Sequence, residues 1–75
     1  MKLIIGEIYQ TKWGNLTYTG RYKGSNYNCC ICQKDRWDTH EFVKGDPSNP
    51  LQVYHFGSEC IKKFIGEGLC QLIKQ

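Results

Sequence analysis

The feature that most constrains this chain is a pair of cysteines, Cys29 and Cys32, followed well downstream by a third, Cys60. The two-residue spacer in the pair lets both sulfur atoms reach one tetrahedral metal ion from a tight turn. Cys60 lies where a helix is predicted to begin, and the helix dipole at that end stabilises a thiolate and favours metal binding. The pattern therefore predicts a metal site that ties the two halves of the chain together.

The chain has no second C-x2-C pair, because Lys63 stands three residues after Cys60, where the other cysteine of such a pair would be. The fourth ligand must therefore be a residue elsewhere in the chain. His55 is the first choice, since it lies near the end of a predicted strand and Gly57 gives the backbone freedom to turn between it and Cys60. Thiolates combined with imidazole are typical ligands of structural Zn²⁺. The predicted zinc ligands are Cys29, Cys32, His55 and Cys60.

Two other residues compete for the fourth position. His40 lies in a weakly patterned strand and could fold back over the loop that carries Cys29 and Cys32, here called the cysteine knuckle. Cys30 could replace Cys29 only by pairing with Cys32 at C-x-C spacing, which is less common. The competing interpretation of the whole pattern is that the cysteines are buried thiols without a metal, because free cysteine packs as a small hydrophobic residue.

The length of 75 residues predicts a single domain, 1–75, with a core so small that a covalent or metal staple is expected. Five cysteines, an odd number, fit disulfide pairing poorly. The apolar run at the start is too short for a signal peptide, and none approaches the roughly 20 residues that cross a bilayer. We therefore expect a cytoplasmic protein without membrane attachment, stapled by metal rather than by disulfides.

Four strands are predicted from the distribution of apolar and β-branched residues, and they cover 4–12, 16–22, 37–43 and 51–56. Gly14-Asn15 suits the tight turn of a hairpin formed by the first two strands. Gly20 is expected to mark a bulge in the second strand. Three large side chains of that strand are predicted to share one face: Leu16, Tyr18 and Tyr22.

A helix is predicted to follow the fourth strand, with Ser58 as its N-cap and Gly66 as its stop. Its apolar stripe consists of Ile61, Phe64 and Ile65. A second short helix is predicted within 68–75, which has apolar residues at helical spacing. The predicted fold class is α+β: a small zinc-stabilised domain with an N-terminal β-hairpin, then a treble-clef-like knuckle and hairpin followed by a C-terminal helix.

The spacing of Cys29 and Cys32, together with the run Phe56-Gly57-Ser58-Glu59-Cys60-Ile61-Lys62-Lys63, resembles a group of small zinc-binding proteins of phages and bacteria. Proteins of that group look like half treble clefs and begin their helix with G-[ST]-E-C-x-K-K. The resemblance covers 27–65, about half of the chain, and its motif is short. It implies a structural zinc and a phage origin, hence the host cytoplasm, and carries no settled activity.

The formal net charge of +3 permits contact with nucleic acid but is too small to argue strongly for it. Basic and aromatic side chains could stack on bases, pair with phosphates or bind a protein. The residues selected for partner binding are Arg21, Lys23, Lys34, Arg36 and Trp37. The competing interpretation is that Trp37, like Trp13, covers the small core.

Three function classes follow from these observations. The first is a non-enzymatic zinc-binding module whose surface binds nucleic acid or a host protein. The second is a phage inhibitor that binds one specific host protein and has no nucleic-acid role. An enzyme is the least favoured, because a thiolate-rich zinc site is usually closed and so short a chain forms no deep cleft. We expect no small-molecule substrate.

Overall fold

A five-stranded antiparallel sheet forms most of the computed structural model, which describes residues 3–73. The elements follow the order β1 (Ile8–Thr11), β2 (Gly14–Asn28), β3 (Asp35–Asp46), β4 (Asn49–Gly57), α1 (Ser58–Gly66) and β5 (Gln71–Leu72). The first four strands form a meander, and β5 returns to pair with β1, which gives the spatial order β4-β3-β2-β1-β5. The fold is thus α+β, as predicted, but strands predominate, and residues 3–73 contain one helix.

The hairpin of β1 and β2 turns two residues earlier than predicted. Thr11 pairs with Gly14 and Gln10 with Asn15, so Lys12 and Trp13 form the turn. The Thr11 hydroxyl accepts the N–H of Trp13 at 3.1 Å and donates to the carbonyl of Gly14 at 3.0 Å, which fixes this short loop. Gly14 keeps the positive φ of 105° that the sequence suggested, but at the start of β2 rather than inside the turn.

The bulge expected at Gly20 is confirmed, and it changes which side chains share a face. Tyr18 pairs with Phe42 but Gly20 pairs with Glu41, so one residue of β2 is extra at this point. Because strand side chains alternate between faces, an extra residue reverses the alternation beyond it. Tyr22 therefore lies on the face opposite to Leu16 and Tyr18, and the prediction that all three share one face is wrong for Tyr22.

Helix α1 begins at Ser58 and ends at Gly66, close to the predicted bounds. Gly57 rather than Ser58 occupies the N-cap position, and no side chain caps the helix. The predicted apolar stripe does face the core, because Ile61 is fully buried and Phe64 and Ile65 pack against the buried cluster. No helix in the described part of the chain has the length and apolar composition that a membrane crossing requires.

The predicted second helix is wrong over the described part of its range. Gly68 has a φ of 75°, a conformation that favours glycine, and it turns the chain back towards the sheet. Gln71–Leu72 then form β5, in which Leu72 pairs with Tyr9 of β1. Residues 74–75, the end of the predicted range, lie outside the described residues. Pairing with an open strand edge outweighs the helical spacing of so short a segment.

The core lies between α1 and the face of the sheet that carries Phe42 and Phe56. Trp13 packs there, with its ring centroid 5.0 Å from that of Phe56 and 5.9 Å from that of Phe64. Trp37 behaves differently, because 66% of it is exposed. The interpretation that both tryptophans cover the core is therefore right for Trp13 and wrong for Trp37.

Leu16→Ala is expected to lower the free energy of unfolding by about 2–5 kcal/mol, because the side chain is fully buried and its removal leaves a cavity. Leu51→Ala is the matched control: this leucine is 83% exposed, so the same truncation should change stability by less than about 0.5 kcal/mol. Thermal unfolding followed by circular dichroism measures both. Equal melting temperatures for the two variants would contradict this placement of the core.

Candidate metal centre

The cysteine knuckle closes the sharp turn between β2 and β3. The N–H of Cys29 donates to the carbonyl of Lys34 at 2.9 Å, and the N–H of Gln33 donates to the carbonyl of Cys29 at 2.8 Å. Gln33 has a φ of 64°, a strained value for a residue other than glycine. These constraints hold Cys29 and Cys32 on one side of the loop.

Three thiols converge at this loop. The sulfur atoms of Cys29, Cys32 and Cys60 all lie within 4.8 Å of one another, and Cys60 reaches them from the first turn of α1. All three cysteines are free thiols, with Cys29 fully buried. Sulfur atoms placed this closely without a disulfide can share one metal ion, so the structure has a group of thiols able to bind metal.

Gly57 permits the close approach between the knuckle and the helix. A Cβ atom on this residue would lie 3.1 Å from Cγ of Arg36 and 3.6 Å from Sγ of Cys29. The φ of Gly57 is −55°, which any residue can adopt. Gly57 is therefore needed for lack of space beside Arg36 and Cys29, and not for the freedom of turning that was predicted.

The sulfur of Cys29 accepts backbone hydrogen bonds from both sides of the centre. Its donors are the N–H groups of Ile31 at 3.4 Å, Cys32 at 3.5 Å and Gly57 at 3.2 Å. These hydrogen bonds hold the sulfur of Cys29 between the knuckle and the end of β4, beside the other two thiols.

The other two thiols lie in opposite electrostatic environments. Nε of Arg36 donates to Sγ of Cys32 at 3.3 Å, and this hydrogen bond lowers the pKa of Cys32 to about 6. Burial raises the pKa of Cys60 to about 11. A bound metal deprotonates a coordinating thiol outright, so the positive charge of Arg36 helps to offset the negative charge that three thiolates collect.

His55 does not join the three thiols. Its Nδ1 lies 3.4 Å from the hydroxyl of Thr39, and its Nε2 lies 3.5 Å from a carboxylate oxygen of Glu41. The imidazole stacks on the ring of Tyr27, with the centroids 3.9 Å apart and the planes 1° from parallel. The structure thus brings together three of the four predicted ligands and gives the fourth other neighbours.

The two alternative ligands also have other contacts. Nδ1 of His40 lies 2.7 Å from the hydroxyl of Tyr18, and burial lowers the pKa of this histidine. The side chain of Cys30 packs against the core, and its N–H donates to the carbonyl of His55 at 2.9 Å. Among residues 3–73, only Cys29, Cys32 and Cys60 form a group of three or more ligand side chains at metal-binding distances.

The residues selected for partner binding have different surroundings. Arg21 forms a bidentate ion pair with Asp38, and this contact lowers the pKa of Asp38 to about 2. Arg36 donates to the metal centre. Both selected lysines, Lys23 and Lys34, are exposed, as is Trp37.

Sequence reasoning missed the role of Arg36 at the thiols and the stacking of Tyr27 on His55. An arginine soon after a cysteine pair was a usable signal for the first. The second had no sequence signal, because Tyr27 and His55 are distant in the chain.

No protein-family model matches this sequence, and comparisons with curated proteins and with solved structures find no significant similarity.

Cys32→Ser is expected to release the metal and unfold the protein. A structural zinc contributes roughly 10–16 kcal/mol in small metal-dependent domains, whereas a whole domain is stable by only about 5–15 kcal/mol. Cys70→Ala is the control, because Cys70 is a buried thiol outside the centre and should keep its metal. Metal content after gel filtration and circular dichroism give the result. A folded, metal-free Cys32→Ser protein would contradict a structural role.

If the three thiols bind a metal ion, His55→Ala and His40→Ala are both expected to retain about one equivalent of it, since neither imidazole lies in the thiol group. Elemental analysis after dialysis against a weak chelator measures retention. A loss of metal from His55→Ala alone would restore His55 as the fourth ligand, and a loss from His40→Ala alone would assign His40.

Proposed function

We propose that this protein is a non-enzymatic zinc-binding module. The observation that carries the proposal is the convergence of the Cys29, Cys32 and Cys60 sulfur atoms within 4.8 Å. Soft thiolate ligands favour zinc among the common metals. Zinc is usually bound in tetrahedral geometry, and a knuckle and a helix N-terminus can place ligands in that arrangement. Three thiolates also donate much charge to the ion, which weakens it as a Lewis acid and favours a structural role.

The proposed zinc joins two parts of the chain that lie far apart in sequence, the knuckle and the first turn of α1. The knuckle follows β2, while Cys60 belongs to α1, and β3 and β4 form the hairpin between them. A knuckle, a hairpin and a helix that closes the site is the treble-clef arrangement, which we propose for residues 29–66. The remaining strands of the sheet, β1 and β5, lie at the other edge.

We further propose that the module binds a protein through the surface around Trp37. This indole is 66% exposed and is therefore available for contact with a partner. Aromatic residues are enriched at the centres of protein interfaces. The resemblance to phage proteins carries no settled activity, but it permits the form of this function in which the module inhibits one host protein.

Nucleic acid is the weaker candidate partner because two of the four selected cations already have contacts within the protein. Arg21 is paired with Asp38, and Arg36 donates to Cys32. Glu59 adds negative charge beside Trp37 and Arg36. Phosphate binding requires several uncompensated cations on one face, and of the selected residues this leaves Lys23 and Lys34.

Chelation tests the structural zinc. Removal of metal with EDTA is expected to unfold the protein, and one equivalent of Zn²⁺ is expected to restore it, because folding and metal binding are coupled. Circular dichroism with parallel elemental analysis follows both steps. A chelated protein that keeps its fold and melting temperature would refute the structural role.

Trp37→Ala is expected to abolish capture of a protein partner from lysate while leaving the melting temperature unchanged. Leu51→Ala, which truncates another exposed apolar side chain, is the matched control and should retain the partner. Affinity capture with and without nuclease separates the two partner classes. Capture that disappears after nuclease treatment would favour nucleic acid over protein.

A further inference from the structure

The chain supplies three ligands to a metal that prefers four. Structural zinc sites are almost always four-coordinate, whereas catalytic zinc sites have three protein ligands and keep the fourth position for water or substrate. A structural zinc on these three thiols therefore needs a fourth ligand. The three residues considered for the fourth position have other contacts: His55 with Thr39 and Glu41, His40 with Tyr18, and Cys30 with the core. The fourth ligand therefore has no evident source among the described residues.

A cleft of about 210 Å³ borders the metal centre. Three of its lining residues touch the thiol group: Cys60 belongs to it, Gly57 donates to Cys29, and Arg36 donates to Cys32. Trp37 and Glu59 form other parts of the wall. A small group that enters this cleft meets Cys60, one of the three converging cysteines, together with the residues that donate to the other two.

We propose that a thiolate from outside the chain enters this cleft and completes the zinc coordination. This inference rests on the proposed zinc site and goes beyond it by naming the class of ligand. On binding, the thiol sulfur donates an electron pair to the metal, the thiol proton passes to solvent, and the water or buffer molecule at that position leaves. No electron is transferred in this exchange.

The walls of the cleft favour a thiol over other donors. Glu59 lies at the cleft and opposes multiply charged anions such as phosphate, whereas the charge of Asp38 is paired with Arg21. A thiolate carries only a single charge, and its soft sulfur matches a metal already bound by three thiolates. The indole of Trp37 offers an apolar wall to the carbon atoms of the thiol.

The test uses the full chain loaded with Co²⁺, which takes the place of zinc and makes the ligand set visible by absorption. Under a phosphine reductant, the protein is titrated with 2-mercaptoethanol. We expect sulfur-to-cobalt charge-transfer absorption to rise by about one third, as a fourth thiolate joins three, and to saturate at one thiol per cobalt. Ethanol, acetate and imidazole are the controls, and at the same concentrations they should not increase this absorption.

A second titration identifies the source of the thiolate. A short cysteine-containing peptide replaces 2-mercaptoethanol, and its serine analogue is the control. Saturable binding of the peptide assigns the position to a cysteine of a protein partner, whereas binding of 2-mercaptoethanol alone assigns it to a small thiol. Trp37→Ala should weaken binding of the thiol at least several-fold at unchanged cobalt content, and Leu51→Ala should not.

Three results would overturn the proposal. A four-thiolate spectrum before any thiol is added, lost in Cys30→Ser, would make Cys30 the fourth ligand. A spectrum altered by His55→Ala would restore the imidazole to that position. If neither thiol changes the absorption, no external thiolate binds the metal. A protein that binds no cobalt is a separate failure, because it refutes the proposed metal site itself.

Discussion

The hydrogen bond from the Gly57 N–H to the sulfur of Cys29 is the contact on which the rest of the centre depends. The distance from the Gly57 nitrogen, at the end of β4, to the Cys29 sulfur, in the knuckle, is 3.2 Å. Both residues are buried. Because it fixes the start of α1 against the knuckle, it also sets the position from which Cys60 approaches. Any larger side chain at Gly57 would press on Arg36 and weaken both the spacing and the charge balance of the site.

The sheet and the metal centre stabilise different parts of the molecule. Phe42, Phe56 and Ile61 are fully buried and join the sheet to α1 through apolar contact. The knuckle contributes little to that cluster, with only Cys30 and Ile31 packed against it. Burial of apolar side chains therefore stabilises the middle of the sheet. A metal ion bound by the three converging sulfur atoms could stabilise the knuckle.

The sequence was informative where a local rule decides the structure and misleading where distant pairing does. Cysteine spacing and a helix start predicted the three thiols, and a glycine in a strand predicted the bulge at Gly20. The neighbours of His55 depend instead on the pairing of β4 with β3 and on where Tyr27 of β2 lies, which no local pattern reveals. The two-residue strand β5 is fixed by the open edge of β1, so its own composition could not identify it.

The two-residue strand β5 covers an edge of β1 that would otherwise be open. Leu72 pairs with Tyr9 and Gln71 with Gln10. Proteolytic loss of this segment would expose the edge of β1 to pairing with other chains. The three thiols lie elsewhere in the chain, so a clipped protein could keep them together and still gain an edge prone to aggregation.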